Sequence, residues 1–129
     1  MIRFFVPGKP SPKARARTTK RGITYTPKTT QLAEGKVLEH FLKAYDGEPL
    51  EGALRIDVYA VFEVPKSWSK KRKAEAVWHT ARPDIDNIVK LVTDALNGSA
   101  YKDDSQIAAM GAMKCYGEHE GLRVIVREL

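Results

Sequence analysis

A chain of 129 residues with a formal net charge of +6 and one cysteine is sized for a single domain that folds on its own apolar core. The lone Cys115 excludes an intramolecular disulfide, no zinc-like Cys/His spacing surrounds it, and no run approaches the roughly 18 apolar residues of a membrane span. The start, MIRFFVPGKP, is too short in apolar residues for a secretory signal, so the expected setting is soluble, reducing and cytoplasmic.

In chain order, Ile2, Phe4 and Val6 alternate with Arg3 and Phe5 ahead of Pro7-Gly8, which predicts a short strand. Residues 9–28 are rich in Pro, Thr and cations and read as a basic loop or mobile arm, with a small hairpin at Gly22. Charge is concentrated here: residues 1–33 hold eight cations and no acid, whereas residues 34–129 hold 14 cations and 16 acids. A basic arm on a slightly acidic body points to a polyanionic partner, with Lys9, Lys13, Arg15, Arg17, Lys20 and Arg21 as candidate phosphate contacts.

After Pro27, the spacing of Leu32, Val37, Leu38, Phe41, Leu42 and Tyr45 predicts a helix that Asp46-Gly47 and Pro49 end. Leu54, Ile56, Val58, Ala60 and Phe62 alternate with polar or mixed neighbours, the pattern of a half-buried strand closed by Pro65. Ser67 is the expected N-cap of a short helix through KKRKAEAVWH. A further helix is predicted from about Asp86 to Leu96, with Ile88, Leu91, Val92, Ala95 and Leu96 on one face and Asn97-Gly98 ending it. Two strands follow, from about Asp104 to Tyr116 and from Leu122 to Arg127. This order predicts one α+β domain over residues 1–129, with a small mixed sheet of about four strands flanked by helices.

The residues that carry chemistry surround that last helix. Pro83 pushes its predecessor towards extended geometry, and Asp84 and Asp86 share a face only where the chain has not yet wound into helix. Asp86, Lys90 and Asp94 then form a polar stripe at a spacing of one turn. A short return through YKDDSQI would bring Asp104 near Asp84 and Asp86. Three carboxylates without His or Cys suit Mg²⁺ or Mn²⁺, which can activate water for attack on a phosphodiester while Lys90 offsets developing charge. Taken singly, each motif also reads as a helix cap or a turn, and Lys90 as a solvated partner of Asp86. The conjunction of an acidic cluster with a basic arm favours the chemical reading. His79 could contact a phosphate, and Trp68 and Trp78 could stack on bases, but such residues more often serve a helix end or a core. No Gly-rich phosphate loop and no G-x-S-x-G elbow is present, which argues against a nucleotide triphosphatase or a serine hydrolase.

The run RPDIDNIVKLVTDALNGSAYKDDSQI, residues 82–107, resembles the signature of the RusA-type Holliday junction resolvases. GKPSPKARART with the later TYTPKT is similar to the basic N-terminal stretch of phage and prophage members. The resemblance implies a homodimeric, Mg²⁺- or Mn²⁺-dependent endodeoxyribonuclease of the bacterial cytoplasm, chromosomal or phage-encoded. It would resolve four-way branched DNA by paired symmetric nicks in recombination and repair. It makes Asp84, Asp86 and Asp104 the metal-binding catalytic acids and Lys90 the catalytic cation. Asp103 is the weaker member of its pair, and Asn87 and Asp94 are supporting residues. Two symmetric nicks also need two sites related by a two-fold axis, which one chain with one acidic cluster lacks. The alternatives are a non-catalytic DNA-binding protein with the same arm and a general nuclease that cuts flaps or single strands.

Overall fold

The structure is a computed structural model that describes residues 1–14 and 16–129. Its strands are β1 (Ile2–Pro7), β2 (Arg17–Thr18), β3 (Thr24–Tyr25), β4 (Leu54–Phe62), β5 (Ile107–Tyr116) and β6 (Gly121–Glu128). Its helices are α1 (Lys28–Ala44), α2 (Lys70–Glu75) and α3 (Ile85–Leu96), and a 3₁₀ turn (Asp104–Gln106) precedes β5. The main sheet has four strands in the order β1-β6-β4-β5, and β2 and β3 form a separate miniature hairpin. The sheet is mixed: β4 and β5 run parallel, and the other pairings are antiparallel.

Alternation along β1 and β4 builds the core. Ile2, Phe4 and Val6 of β1 and Leu54, Ile56, Val58, Ala60 and Phe62 of β4 are buried, and Phe41 of α1 meets Phe4 edge-on at 5.8 Å. Helix α3 contributes Ile88, Leu91, Val92, Ala95 and Leu96, the face its 3.6-residue period defines. Gly98, at a φ of +85°, lets the chain reverse beyond the helix at low conformational cost.

The parallel pair fixes where the site residues can lie. Adjacent parallel strands require a crossover, and here α2 and α3 provide it. Helix α3 therefore begins beside the C-terminal ends of β4 and β5 and finishes beside the start of β5. Its twelve residues span about 18 Å.

Four expectations change. The first part of the arm is docked: Pro10 is buried, the Lys13 amide donates to Asn87 O at 2.8 Å, and the Ala14 amide donates to Thr30 Oγ1 at 3.2 Å. Ser69, not Ser67, caps α2 by accepting from the Arg72 amide at 3.2 Å. That helix stops at Glu75, because residues 77–79 leave it to bond the edge of β5 through Tyr116 N to Val77 O at 2.9 Å and His79 N to Lys114 O at 3.1 Å. Asp104 opens a 3₁₀ turn rather than a strand.

Candidate active site

Asp84 occupies the N-cap position of α3 in extended geometry, φ −70° and ψ 144°, yet its side chain makes no capping hydrogen bond. Its carboxylate is not engaged by the helix backbone, the usual structural role of an acid at this place. The loop that presents it is clasped from β5. Lys114 Nζ donates to Ala81 O at 2.6 Å and Pro83 O at 2.8 Å, and the Arg82–Pro83 peptide is cis. Lys114 had no signal in the sequence, since it is one of ten residues of a strand and its partners lie more than thirty positions away.

Asp84 is still extended at the N-cap, and Asp86 falls inside the first turn of α3. Asp84 lines a cleft with Lys9, Pro10, Arg82 and Asn87, whereas Asp86 borders a depression with Lys90, Thr93 and Met110 on the β5 side. Lys90 lies one turn beyond Asp86 but directs its mostly exposed ammonium to Asp94, at 3.6 Å. Asp94 also receives Lys13 at 3.5 Å, and Lys13 bonds Glu34. The hydrogen bond that Lys13 donates to Glu34, followed by weaker attraction to Asp94, holds the Lys13 ammonium above its ordinary pKa. Lys13 is therefore engaged within the fold, while Lys9 reaches the Asp84 cleft and Arg17, Lys20 and Arg21 are exposed. Arg15 lies outside the described residues.

Asp103 caps the 3₁₀ turn. Its carboxylate accepts from the Ser105 hydroxyl and, at 3.4 Å, from the Ser105 amide, while Gln106 Oε1 accepts from the Lys102 and Asp103 amides at 2.9 and 3.1 Å. The bonds from Ser105 keep Asp103 below the usual carboxylate range. Asp104 is left to face outward beside Tyr101, whose buried hydroxyl donates to Thr93 O at 2.7 Å. Burial first, and then the charges of Asp104 and Asp94, raise the Tyr101 pKa well above its ordinary value. Asp104 thus belongs to the C-terminal end of α3 and Asp84 to its N-terminal end. The expected convergence of Asp84, Asp86 and Asp104 is not formed within one chain. Among the described residues no group of three His, Cys, Asp or Glu side chains is placed to hold a metal ion.

The oxygen donors fit a hard divalent cation of the kind that takes one or two carboxylates and completes its shell with water and phosphate oxygens. Asp84 and Asp86 are the residues that can provide such donors at the start of α3.

A crossover helix that starts with carboxylates, beside a cationic segment, places acids and cations together on one small α+β domain. The family model described as Endodeoxyribonuclease RusA matches residues 7–127, and the chain belongs to the RusA endodeoxyribonuclease family. It is 35% identical to the Bacillus subtilis (strain 168) protein named Uncharacterized protein YqaN, over 99% of this chain and 96% of that relative. It is 29% identical to the Crossover junction endodeoxyribonuclease rusA of Lactococcus phage r1t, over 85% of this chain and 76% of that relative. Among the described residues no helix is long and apolar enough to cross a membrane.

Proposed function

We propose that this chain is a divalent-metal-dependent endodeoxyribonuclease that resolves four-way DNA junctions by paired symmetric nicks. The observation that carries this reading is Asp84, an N-cap carboxylate without a capping bond, held by the Lys114 clasp in a chain of the RusA family. Asp84 and Asp86 would hold Mg²⁺ or Mn²⁺. When bound, such an ion polarises a phosphate and lowers the pKa of water. Lys90 would stabilise charge on the phosphate oxygens after releasing Asp94, an exchange that its exposed position allows. Lys9, Arg17, Lys20 and Arg21, with Arg15, would meet the DNA backbone, giving salt-dependent affinity with little sequence choice. Lys13 would join them only by leaving Glu34 and Asp94.

The protein would act as a homodimer. Paired nicks require two sites, and Asp104 can join an Asp84–Asp86 pair only from a second copy, because α3 separates them within one chain. Residues 107–113 of β5 offer an edge unpaired among the described residues, flanked by Met110, Met113 and Ile85, which are 46%, 41% and 38% exposed.

A synthetic four-way junction should be nicked symmetrically in Mg²⁺ or Mn²⁺ and left intact with chelator. Asp86→Asn should bind the junction but not cut it, and cleavage retained in that variant would remove Asp86 from the site. A second reading, a junction-binding protein without cleavage, draws on the absence of a metal-holding group of three acidic, His or Cys side chains among the described residues. Binding without nicks in any divalent metal would select it.

A further inference from the structure

We infer that Trp68, Trp78 and Tyr116 form a stacking site for an unpaired nucleobase, served by the cations of α2. Trp78 is 61% exposed, although its ring is among the largest apolar surfaces a chain can bury. Its exposure is imposed by the backbone. Residues 77–79 are hydrogen-bonded to the edge of β5, and Trp78 bridges to Cys115. Alternation along this extended piece turns His79 inward, stacked on Phe62 at 3.7 Å, and Trp78 outward. A large aromatic is thereby presented on a fixed backbone, which limits the ordering cost of binding.

Trp78 borders a cleft with Trp68, Arg72, Glu75, Val77 and Tyr116. Trp68 packs edge-on against Tyr116 at 5.3 Å, and the Arg72 guanidinium lies over the Trp68 ring at 3.7 Å from its centroid. Arg72 lines the cleft, Lys66, Lys70 and Lys71 are exposed nearby in sequence, and among the described residues none of the four is ion-paired with a carboxylate. Aromatic faces among unpaired cations match the chemistry of a single-stranded nucleic acid: bases stack on the rings while phosphates meet the cations. An apolar partner protein would gain nothing from the lysines, so charge favours the nucleic acid. Residues 79–83 connect Trp78 directly to Asp84, which places the stacking site on the same β4-to-α3 connection as the candidate catalytic acid.

This inference deepens the nuclease reading, because the bases at the crossover of a branched DNA are those that can leave the stack. It predicts that the site favours unpaired over paired strands. The chain has two tryptophans and both lie in this cleft, so fluorescence excited beyond the tyrosine absorption band reports on it. With chelator present to prevent cleavage, oligothymidylate should quench the wild-type protein saturably, and a blunt duplex of equal length should quench it less. By anisotropy of labelled oligothymidylate, Trp78→Ala should bind about five- to 150-fold more weakly, the range for loss of one stacked base, while Trp78→Phe stays near wild type. Absence of quenching, equal quenching by both DNAs, or unchanged affinity in Trp78→Ala would overturn the site. Junction cleavage by wild type without quenching would leave the nuclease reading standing and remove this one. Quenching without cleavage in any divalent metal would do the reverse.

Discussion

At the scale of single residues, the side chain that most shapes the site is one that touches no substrate in the proposed reaction. Lys114, half-buried on β5, holds two carbonyls of the loop ahead of Asp84. Lys114→Met keeps the aliphatic stem and removes both charge-assisted bonds. It should cost about 1–3 kcal/mol and lower Tm, and it should slow junction nicking more than it weakens junction binding. Wild-type nicking in that variant would show that the loop keeps its shape unaided. His79 supplies a second, separable signal. Burial, then Lys114 and Lys9, depress its pKa below 6.5, so the unfolded chain takes up this proton more readily than the folded one. The stabilisation is therefore complete above pH 6.5 and is lost as pH falls through the folded value. Tm should fall in mildly acidic buffer, and His79→Phe, which preserves stacking on Phe62, should fall less. An equal decline in both proteins would assign the effect to other groups.

At the scale of elements, legibility followed periodicity. Helix α3, β1 and β4 were readable because each buries one face, so their apolar residues recur at the period of the element. Strand β5 was readable as a strand but not in its role. Its residues are small or flexible, with Ala108, Ala109, Gly111 and Ala112 among them, and only the parallel partner explains why. Gly111 faces Asp57, a buried carboxylate gripped by Arg55 at 2.9 and 3.0 Å. A Cβ at Gly111 would lie 2.4 Å from Asp57 Oδ1 and 2.9 Å from Arg55 Nη2. Gly111→Ala should thus displace the ion pair and destabilise the fold by about 1–3 kcal/mol, visible as a lower midpoint in urea. An unshifted midpoint would mean that the pair relocates freely. The docking of residues 9–14 was hidden for the same reason as Gly111: its partners, Asn87, Thr30, Glu34 and Asp94, are supplied by other elements, and a cation-rich segment looks alike whether bound or free.

At the scale of the whole molecule, the candidate site was legible as a set of residues but not as a place. Spacing along the chain suggested that Asp104 returns to Asp84 and Asp86, but a parallel β4–β5 pair makes α3 a crossover, which carries the chain away from its starting end before β5 begins. If the three acids act on one ion, the third comes from another copy, and this has a consequence that single variants cannot show. Asp86→Asn and Asp104→Asn should each be inactive alone. Mixed and allowed to exchange subunits, they form a heterodimer in which one site carries both substitutions and the other carries neither. Nicking should then reappear, on one strand at a time rather than as paired cuts. Were all three acids to act within one chain, each subunit of the heterodimer would retain one defect and the mixture would stay inactive. If the proposed dimer forms through the exposed β5 edge, Met110→Lys should shift the protein towards monomer in sedimentation and abolish the rescue, since the added charge would then meet its own copy across the two-fold axis.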